Sequence, residues 1–363
     1  MPDTPFRHDH FPRTDAARCS GVRRAVAALD AAWTRADTAP GGLRTEIDAL
    51  TSAGVSADVV IDRLLPWLTD TLWLHGRIDA ALDLLRADFF ARPPLRLLGG
   101  GDGGPGSLVL AERGVVRLSL QLWPFATLAP ALAPTYVVFT PGHAALHVLV
   151  SGGASIHRHD VAVRASEDQG GFTSAGAAPC HSRPPRPLQH GETLRLDTAR
   201  QNVTFAGAGA DVLLLELVVQ PPSPLPIRTY DIASGRLLHV SASRRDSSFR
   251  QMALALLRHL GRTDAAPLIA AETASEDFAA RWSAMRELLA LDSAAARPLL
   301  KAMAATDPHA EVRRAAAATD ALIFLPSRET GREGGGGPGP CTSPAPSTLY
   351  SARPDPERSR CPA

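Results

Sequence analysis

Two similar stretches in the C-terminal third decide how this chain is organised: RQMALALLRHLGRTDAAPLI, residues 250–269, and RWSAMRELLALDSAAARPLL, residues 281–300. The second begins thirty-one residues after the first. Seven of the twenty aligned positions carry the same residue: Arg250/Arg281, Ala253/Ala284, Leu257/Leu288, Leu260/Leu291, Ala265/Ala296, Pro267/Pro298 and Leu268/Leu299. Seven identities in register indicate a repeated structural unit and not two unrelated helices that happen to match.

Each copy has the pattern of a helix, a turn and a second helix. The shared alanine and the first two shared leucines recur at i, i+4 and i+7, which is one face of a helix. A short polar break follows, and a Pro-Leu pair is expected to begin the second helix, where proline is tolerated. A third copy is predicted from Asp307-Pro308, with Arg313 thirty-two residues after Arg281. Because one helical pair cannot bury its apolar face alone, we expect the copies to stack.

The segment from residue 247 to about residue 321 resembles short HEAT-like repeats, in which a first-helix arginine and a second-helix Pro-Leu pair recur. The residues that carry the resemblance are Arg250, Ala253, Pro267, Arg281, Ala284, Pro298 and Arg313. The resemblance implies an α-solenoid segment that holds another macromolecule or a neighbouring domain of the same chain.

The remainder of the chain divides by composition. Apolar residues at helical spacing characterise the region before the glycine-rich stretch GGGDGGPG, and short strand-like runs characterise the region after it. We therefore predict a disordered segment at 1–18, an N-terminal helical region at 19–95, a glycine-rich linker at 96–106, a β domain at 107–242, the HEAT-like repeats at 243–325 and a disordered Gly/Pro-rich tail at 326–363.

The β domain is predicted from closely spaced short strands separated by Gly, Pro, Asn and Asp. Two β-rich runs flank Gly114 and predict a hairpin. Such strands are typical of an antiparallel β-sandwich or jelly roll. One long loop, residues 164–187, interrupts them and is expected to be mobile or functional. The predicted fold class is thus α+β multidomain: N-terminal helices, a jelly-roll-like middle domain and C-terminal helical-hairpin repeats.

Composition and charge narrow the function classes. The chain has 363 residues, with 38 Lys+Arg against 37 Asp+Glu and a net charge of +1. This balance argues against binding to nucleic acid or to an anionic membrane. The densest apolar run, residues 212–219, is too short to span a bilayer, and no signal-peptide core is recognisable. The four cysteines form no C-x-x-C pair, and we expect a cytoplasmic protein.

Two histidines on one predicted strand are the best candidates for chemistry. In SIHRHDVAV, residues 155–163, strict alternation puts His157 and His159 on the same side as Val161. Two imidazoles on the inward face of a small barrel are part of what a mononuclear metal site requires. His190 is in phase with the apolar residues of a later strand, again on the predicted inner side. The alternative interpretation is that these histidines are half-exposed strand residues.

Residues 135–220 resemble the cupin family of jelly-roll barrels, whose first motif supplies an H-x-H pair and a glutamate and whose second supplies another histidine. His157 and His159 match the H-x-H pair. Arg164 and the valine before it stand where the glutamate is expected, and His190 would have to substitute for the second-motif histidine. The resemblance therefore implies a degenerate barrel that binds no cofactor. In the alternative case, in which a metal is bound, the resemblance implies Fe, Mn, Ni or Zn held by these three histidines.

No catalytic motif accompanies these features. The chain contains no G-x-S-x-G motif, and the glycine-rich stretch lacks the lysine of a P-loop. We therefore predict a non-catalytic interaction or regulatory protein that binds a protein partner through its HEAT-like repeats and a degenerate cupin-like β domain. The alternative is a cupin-type metal-dependent enzyme or small-molecule sensor, which requires the three histidines to converge on one point.

Overall fold

The computed structural model describes residues 16–99, 105–129, 132–243 and 245–324. Helices come first, β-strands follow, and helices end the described chain, in the α+β order that the sequence predicts. The chain divides into two units after Ile323, and the elements below belong to the first unit apart from the last residue of the last helix. The predicted disordered segments lie outside the described residues, except that the first helix already begins at Ala16.

The N-terminal region consists of helices, as predicted. Ser56 begins one of them, because its side chain accepts a hydrogen bond from the backbone N–H of Val59 at 3.5 Å. Pro66 lies at the start of the next, where its missing N–H is not needed. The helices are α1 (Ala16–Thr38), α2 (Leu43–Ser52), α3 (Ala57–Leu64), α4 (Pro66–Thr69) and α5 (Leu72–Ala87).

The middle of the chain forms β-strands, and every pairing described between them is antiparallel. The strands are β1 (Arg96–Gly99), β2 (Gly106–Arg113), β3 (Val116–Trp123), β4 (Tyr136–Phe139), β5 (His143–Val150), β6 (Ser155–Val161), β7 (Cys180–Ser182), β8 (Arg186–Pro187), β9 (Thr193–Asp197), β10 (Gln201–Ala206), β11 (Val212–Val219), β12 (Ile227–Asp231) and β13 (Leu237–Ser241). One sheet has the order β1-β2-β3-β11-β5-β9, a second has β10-β6-β7 with β8 on β6, and a third has β13-β12-β4.

Two sequence predictions for this region differ from the structure in detail. The predicted linker at 96–106 contains strand β1 and the first residue of β2, which pair with each other. The predicted loop at 164–187 contains β7 and β8, and both pair with β6. The predicted hairpin is confirmed: β2 and β3 pair across Gly114, whose φ of 55° is one that glycine adopts at no steric cost.

The N-terminal helices cover one face of the six-stranded sheet. Ile47 of α2 and Leu64 of α3 are fully buried in the same apolar cluster as Leu215 and Leu217 of β11. The residues of β11 that alternate with these leucines point to the other face, where Leu214 packs in a second cluster with Ile156 of β6. Strand β11 is therefore buried on both faces, which explains why its sequence is almost continuously apolar.

The C-terminal helices are α6 (Arg245–His259), α7 (Ala266–Glu272), α8 (Phe278–Leu291), α9 (Ser293–Thr306) and α10 (Ala310–Phe324). Helix α8 packs against α6, α7 and α9. Pro267 lies in the first turn of α7, as predicted. Pro298 does not begin α9, because the Asp292 side chain accepts from the backbone N–H of Ala295 at 2.9 Å and starts that helix earlier. No helix in the described part of the chain is long and apolar enough to cross a membrane.

Candidate functional site

The arginine that recurs in the repeats has a defined structural role in α8. Arg281 is 8% exposed, and its Nε and Nη2 donate to the two carboxylate oxygens of Asp307, each at 2.8 Å. Its Nη1 donates to the carbonyl oxygens of Ser275 at 2.9 Å and Glu276 at 3.0 Å. A planar guanidinium suits this two-point contact with a carboxylate. Arg281 therefore joins the start of its own repeat to the start of the next one.

Arg313 repeats the backbone part of this arrangement in α10. Its Nη1 donates to the carbonyl oxygens of Asp307 at 2.5 Å and Pro308 at 3.1 Å, which lie six and five residues before it. Ser275 and Glu276 precede Arg281 by the same two intervals. The side chain of Arg250 is more exposed, and its Nη1 lies 3.3 Å from Glu272 Oε2.

The small residues of the predicted repeat pattern differ between the two copies. Ala284 is fully buried in α8, whereas Ala253, its equivalent in α6, is only half-buried. Pro267 and Pro298 are both exposed; Pro267 lies in the first turn of α7, whereas Pro298 lies inside α9. The second repeat is thus the best-packed part of the segment.

The repeats contact the β domain through the beginning of α10. His309 Nε2 lies 2.6 Å from the carbonyl oxygen of Phe172, which can only accept, so this nitrogen carries the proton. The His309 ring stacks on Phe278 with 3.9 Å between centroids. Both carboxylate oxygens of Glu311 accept from the backbone N–H of Ser174 at 3.0 Å. The loop at 164–187 is therefore held by the repeat segment.

A cleft of about 530 Å³ lies beside this contact. Its lining includes Ser223 and Pro224 from the β domain and Asp277, Arg281 and His309 from the repeats. Asp277 already accepts from two backbone N–H groups at the start of α8, and Arg281 already holds Asp307. These two side chains are thus occupied by contacts within the chain, whereas His309 Nδ1 is buried without a hydrogen-bond partner.

One side of α6 exposes a row of large apolar side chains. Phe249 is 69% exposed, Met252 68%, Leu256 58% and Leu260 64%. The spacing of three or four residues puts Phe249, Met252 and Leu256 on one side of α6, and Leu260 follows directly after the last residue of the helix. We call these four residues the α6 stripe. On the opposite side, Leu254 is 4% exposed. Helix α6 is therefore apolar on two opposite sides, and in the described part of the chain only one of them is covered.

The predicted metal ligand His159 is buried and already has partners on both ring nitrogens. Its Nδ1 lies 2.9 Å from Ser182 Oγ and its Nε2 lies 3.0 Å from Thr204 Oγ1. Burial lowers the pKa of His159, and the nearby His157 lowers it further. A neutral imidazole that joins strands β6, β7 and β10 explains this geometry without a metal.

The three predicted metal ligands do not come together. His157 lies opposite Thr204 in the pairing of β6 with β10, and the Thr204 hydroxyl also contacts His159, so these two histidines are near each other. His190, in contrast, is exposed in the turn before β9. The predicted alternation fails there because Gly191 has a φ of 75°. His190 lies close enough to His147 to lower the pKa of that histidine, which burial lowers most. Among the described residues, no group of three or more His, Cys, Asp or Glu side chains could hold a metal ion, so the donor set does not fit the implied divalent ion.

A half-buried glutamate on β11, Glu216, was not singled out by the sequence. Glu216 Oε2 accepts from Gln121 Nε2 at 2.6 Å and from Ser119 Oγ at 3.4 Å, both on the neighbouring strand β3. Burial raises the pKa of Glu216, although Arg117 and these hydrogen bonds oppose the effect. The feature of the sequence that could have revealed it is that Glu216 is the single charged residue in the apolar run of residues 212–219.

A second buried polar cluster ties the loop at 164–187 to the β domain. Arg228 is 1% exposed, and its guanidinium lies 5.9 Å from the ring centroid of Phe139 and 5.8 Å from that of Phe172. Burial lowers the pKa of Arg228. Glu167, also 1% exposed, accepts from the backbone N–H of Arg164 at 2.9 Å and from its Nη2 at 2.7 Å. Phe172 thus connects the interior of the β domain with His309 of the repeats.

Comparison with known proteins identifies the C-terminal segment. Residues 236–319 match the HEAT-repeat family, described as HEAT repeats, which confirms the predicted resemblance. The match covers the helices α6–α9 and most of α10, as well as strand β13. No curated protein matches the sequence.

Solved structures that match the chain include cupins. Hydroxypropylphosphonic acid epoxidase from S. wedmorenis is 12% identical over 34% of this chain and 55% of its own, with a TM-score of 0.24. A cupin domain from Bordetella pertussis Tohama I is 8% identical over 32% of this chain and 95% of its own, with a TM-score of 0.20. A cupin superfamily protein from Desulfitobacterium hafniense DCB-2 is 11% identical over 34% and 83%, with a TM-score of 0.20. The chain spans about half the length of the epoxidase. We therefore describe the architecture of the β domain from the strand pairing in this structure.

Proposed function

We propose that this protein is a non-catalytic interaction protein whose HEAT repeats bind another protein at the α6 stripe. The observation that carries the proposal is the exposure of Phe249, Met252 and Leu256 along one side of α6 and of Leu260 directly after it. Single exposed leucines are common on protein surfaces, but contiguous apolar patches mark interaction sites. HEAT repeats in general serve such contacts, because stacked helical pairs present an extended surface.

The contacts at the C-terminal end of the repeat segment support the proposal that the partner binds at α6. His309 and Glu311 are engaged by the loop of the β domain. Arg281 and Asp307 join the second repeat to the beginning of α10. An array that is attached at this end to its own domain presents its first helix, α6, to a partner.

In this proposal the β domain is a degenerate cupin-like barrel that positions the repeats. Its role rests on the connection from Arg228 through Phe172 to His309. Buried contacts of this kind restrict movement of the loop at 164–187, so the repeats have a rigid base. A cytoplasmic location is part of this proposal.

The alternative, a cupin-type metal-dependent enzyme or small-molecule sensor, has less support. The ring nitrogens of His159 are both engaged by hydroxyl groups, and His190 is near His147 instead. A metal at this position would require these side chains to rearrange. Titration of Zn²⁺ into the full chain distinguishes the two: stoichiometric binding that His159→Ala abolishes would favour the alternative, and equal behaviour of both proteins favours the interaction function.

Affinity purification from lysate of the source organism tests the proposed function. Leu256→Glu puts a charge in the centre of the α6 stripe while keeping good helix propensity. Leu72→Glu on α5 is the matched control, because Leu72 is 77% exposed and lies outside the stripe. We expect proteins that co-purify with the wild type and with Leu72→Glu to be absent with Leu256→Glu. An identical set with all three proteins would contradict the proposal.

A further inference from the structure

The α6 stripe has the character of a helix face that is normally covered by a further helix. In α8, the residue thirty-one positions after Phe249 is Ala280, which is fully buried. In α10, the corresponding residue is Val312, which is 4% exposed. Only in α6, the first helix of the array, is this position open. The end of a helical array that carries apolar residues, and not a polar cap, indicates that another helix stacks on it.

The residues of the α6 stripe can pair with those of a second α6 stripe that runs in the opposite direction. If a second α6 lies antiparallel across the first, Phe249 of one copy faces Leu260 of the other. Met252 then faces Leu256, because both pairs are centred close to Leu254. Two-fold symmetric contacts require a surface that is complementary to itself in this way. The two pairs of the stripe meet this condition with centres that differ by half a residue.

The charges beside the stripe do not oppose contact between two copies. Arg250 pairs with Glu272, and Arg258 pairs with Glu287 of the same chain. In the turn after α6, Arg262 pairs with Asp264 at 2.7 Å. These arginines are therefore balanced internally, so two copies would meet without strong like-charge repulsion. The same balance gives an acidic partner little to recognise.

We infer that the α6 stripe is the contact between two copies of this chain, with the two α6 helices packed antiparallel about a two-fold axis. The inference rests on the proposed function, because it names the partner of the same surface. Four large apolar side chains per copy make a small interface compared with the roughly 800 Å² per partner of a typical stable complex. The dimer is therefore expected to be weak, with a dissociation constant on the order of 10 µM.

Sedimentation equilibrium of the full chain at concentrations around that value tests the inference. We expect a monomer–dimer equilibrium for the wild type and for Leu72→Glu. Leu256→Glu should raise the dissociation constant by a factor of roughly 100, because the charge is buried twice in a symmetric dimer. A wild type that stays monomeric overturns the inference, and so does a dimer that Leu256→Glu leaves intact.

A mixture of two variants tests the antiparallel register. Met252→Arg and Leu256→Glu should each be monomeric alone. Mixed in equal amounts they should form a heterodimer, because the new arginine faces the new glutamate at one end and the native Met252–Leu256 pair remains at the other. A mixture that stays monomeric overturns the antiparallel arrangement.

The outcomes separate this inference from the proposed function. If the wild type is a monomer and Leu256→Glu still loses proteins that co-purify from lysate, the second-copy inference fails and the proposed function stands. If the wild type is a monomer and the co-purifying set is unchanged, both fail. A monomer that binds phosphatidylglycerol vesicles through the stripe would assign the surface to a membrane and overturn both.

Discussion

Arg281 and Asp307, twenty-six residues apart, form a two-point ion pair in which both N–O distances are 2.8 Å. Both side chains are less than one-tenth exposed. Three further contacts complete the arrangement: the two carbonyl oxygens before α8, and the backbone N–H of His309, which donates to Asp307 Oδ1 at 2.8 Å. The pair therefore satisfies the groups around it and fixes where α10 begins.

Replacement of Arg281 by alanine should destabilise the protein strongly. The change leaves the Asp307 carboxylate buried without its partner, which typically costs about 3–5 kcal/mol. Urea unfolding measures the free energy directly. Arg250→Ala is the matched control, since the equivalent arginine of the first repeat is exposed and such pairs contribute less than about 1 kcal/mol. Equal losses for both variants would show that Arg281 has no special role.

The stability of the β domain should depend on pH through His159. Burial lowers the pKa of His159 below its usual value of 6.5. The unfolded chain therefore takes up the proton first, and the free energy of unfolding falls as the pH drops below about 6.5. One histidine contributes a slope of at most about 1.4 kcal/mol per pH unit.

His159→Gln tests this dependence, because glutamine does not titrate. Unfolding in urea between pH 5 and about pH 8 should give a smaller slope for the variant than for the wild type. His75→Gln is the control, since His75 is exposed on α5. If the His159 variant keeps the full slope, another group is responsible.

Neutralising Glu216 should stabilise the protein at neutral pH. Burial raises the pKa of Glu216 above its usual 4.5, so ionisation of this carboxyl in the folded state opposes folding as the pH rises above that value. In Glu216→Gln, the amide oxygen still accepts from Gln121. The gain in free energy of unfolding should shrink as the pH falls towards 4.5. Glu46→Gln, at an exposed position, should show no such trend.

The sequence predicts the repeats because the same residues recur at the same spacing, but it does not predict which residues these pair with in the folded structure. The recurrence of Arg281 and Arg313 is visible from spacing, and their shared contacts with the preceding carbonyl oxygens explain it. The pairing with Asp307 depends on stacking of successive repeats, which spacing alone does not define. The same limit applies to Leu260, which the pattern places with the buried residues and which the structure leaves 64% exposed because no helix precedes α6 in the array.

In the β domain, alternation predicts faces only while the strand continues. It places His157 and His159 on one inner face, and His159 is buried while His157 is half-buried. Ile156, on the opposite face of β6, is buried as well and packs with Leu214, so burial alone does not identify the inner face. It fails at His190, because the positive φ of Gly191 ends the alternation before β9 begins. Glu216 was missed because strand periodicity does not reveal that both faces of β11 are covered.

Removing the Glu311 carboxylate should loosen the contact between the repeats and the β domain. The backbone N–H of Ser174 donates to both oxygens of this carboxylate. In Glu311→Ala this N–H can bond only to water, so the free energy of unfolding should fall by about 1 kcal/mol. Hydrogen exchange measured by mass spectrometry should be faster in the peptide containing Ser174, while exchange in α2 stays unchanged. Glu46→Ala, distant in sequence and exposed, controls for loss of a carboxylate. Unchanged exchange at Ser174 would mean that His309 alone holds the loop, because its hydrogen bond to the carbonyl of Phe172 is the neighbouring contact.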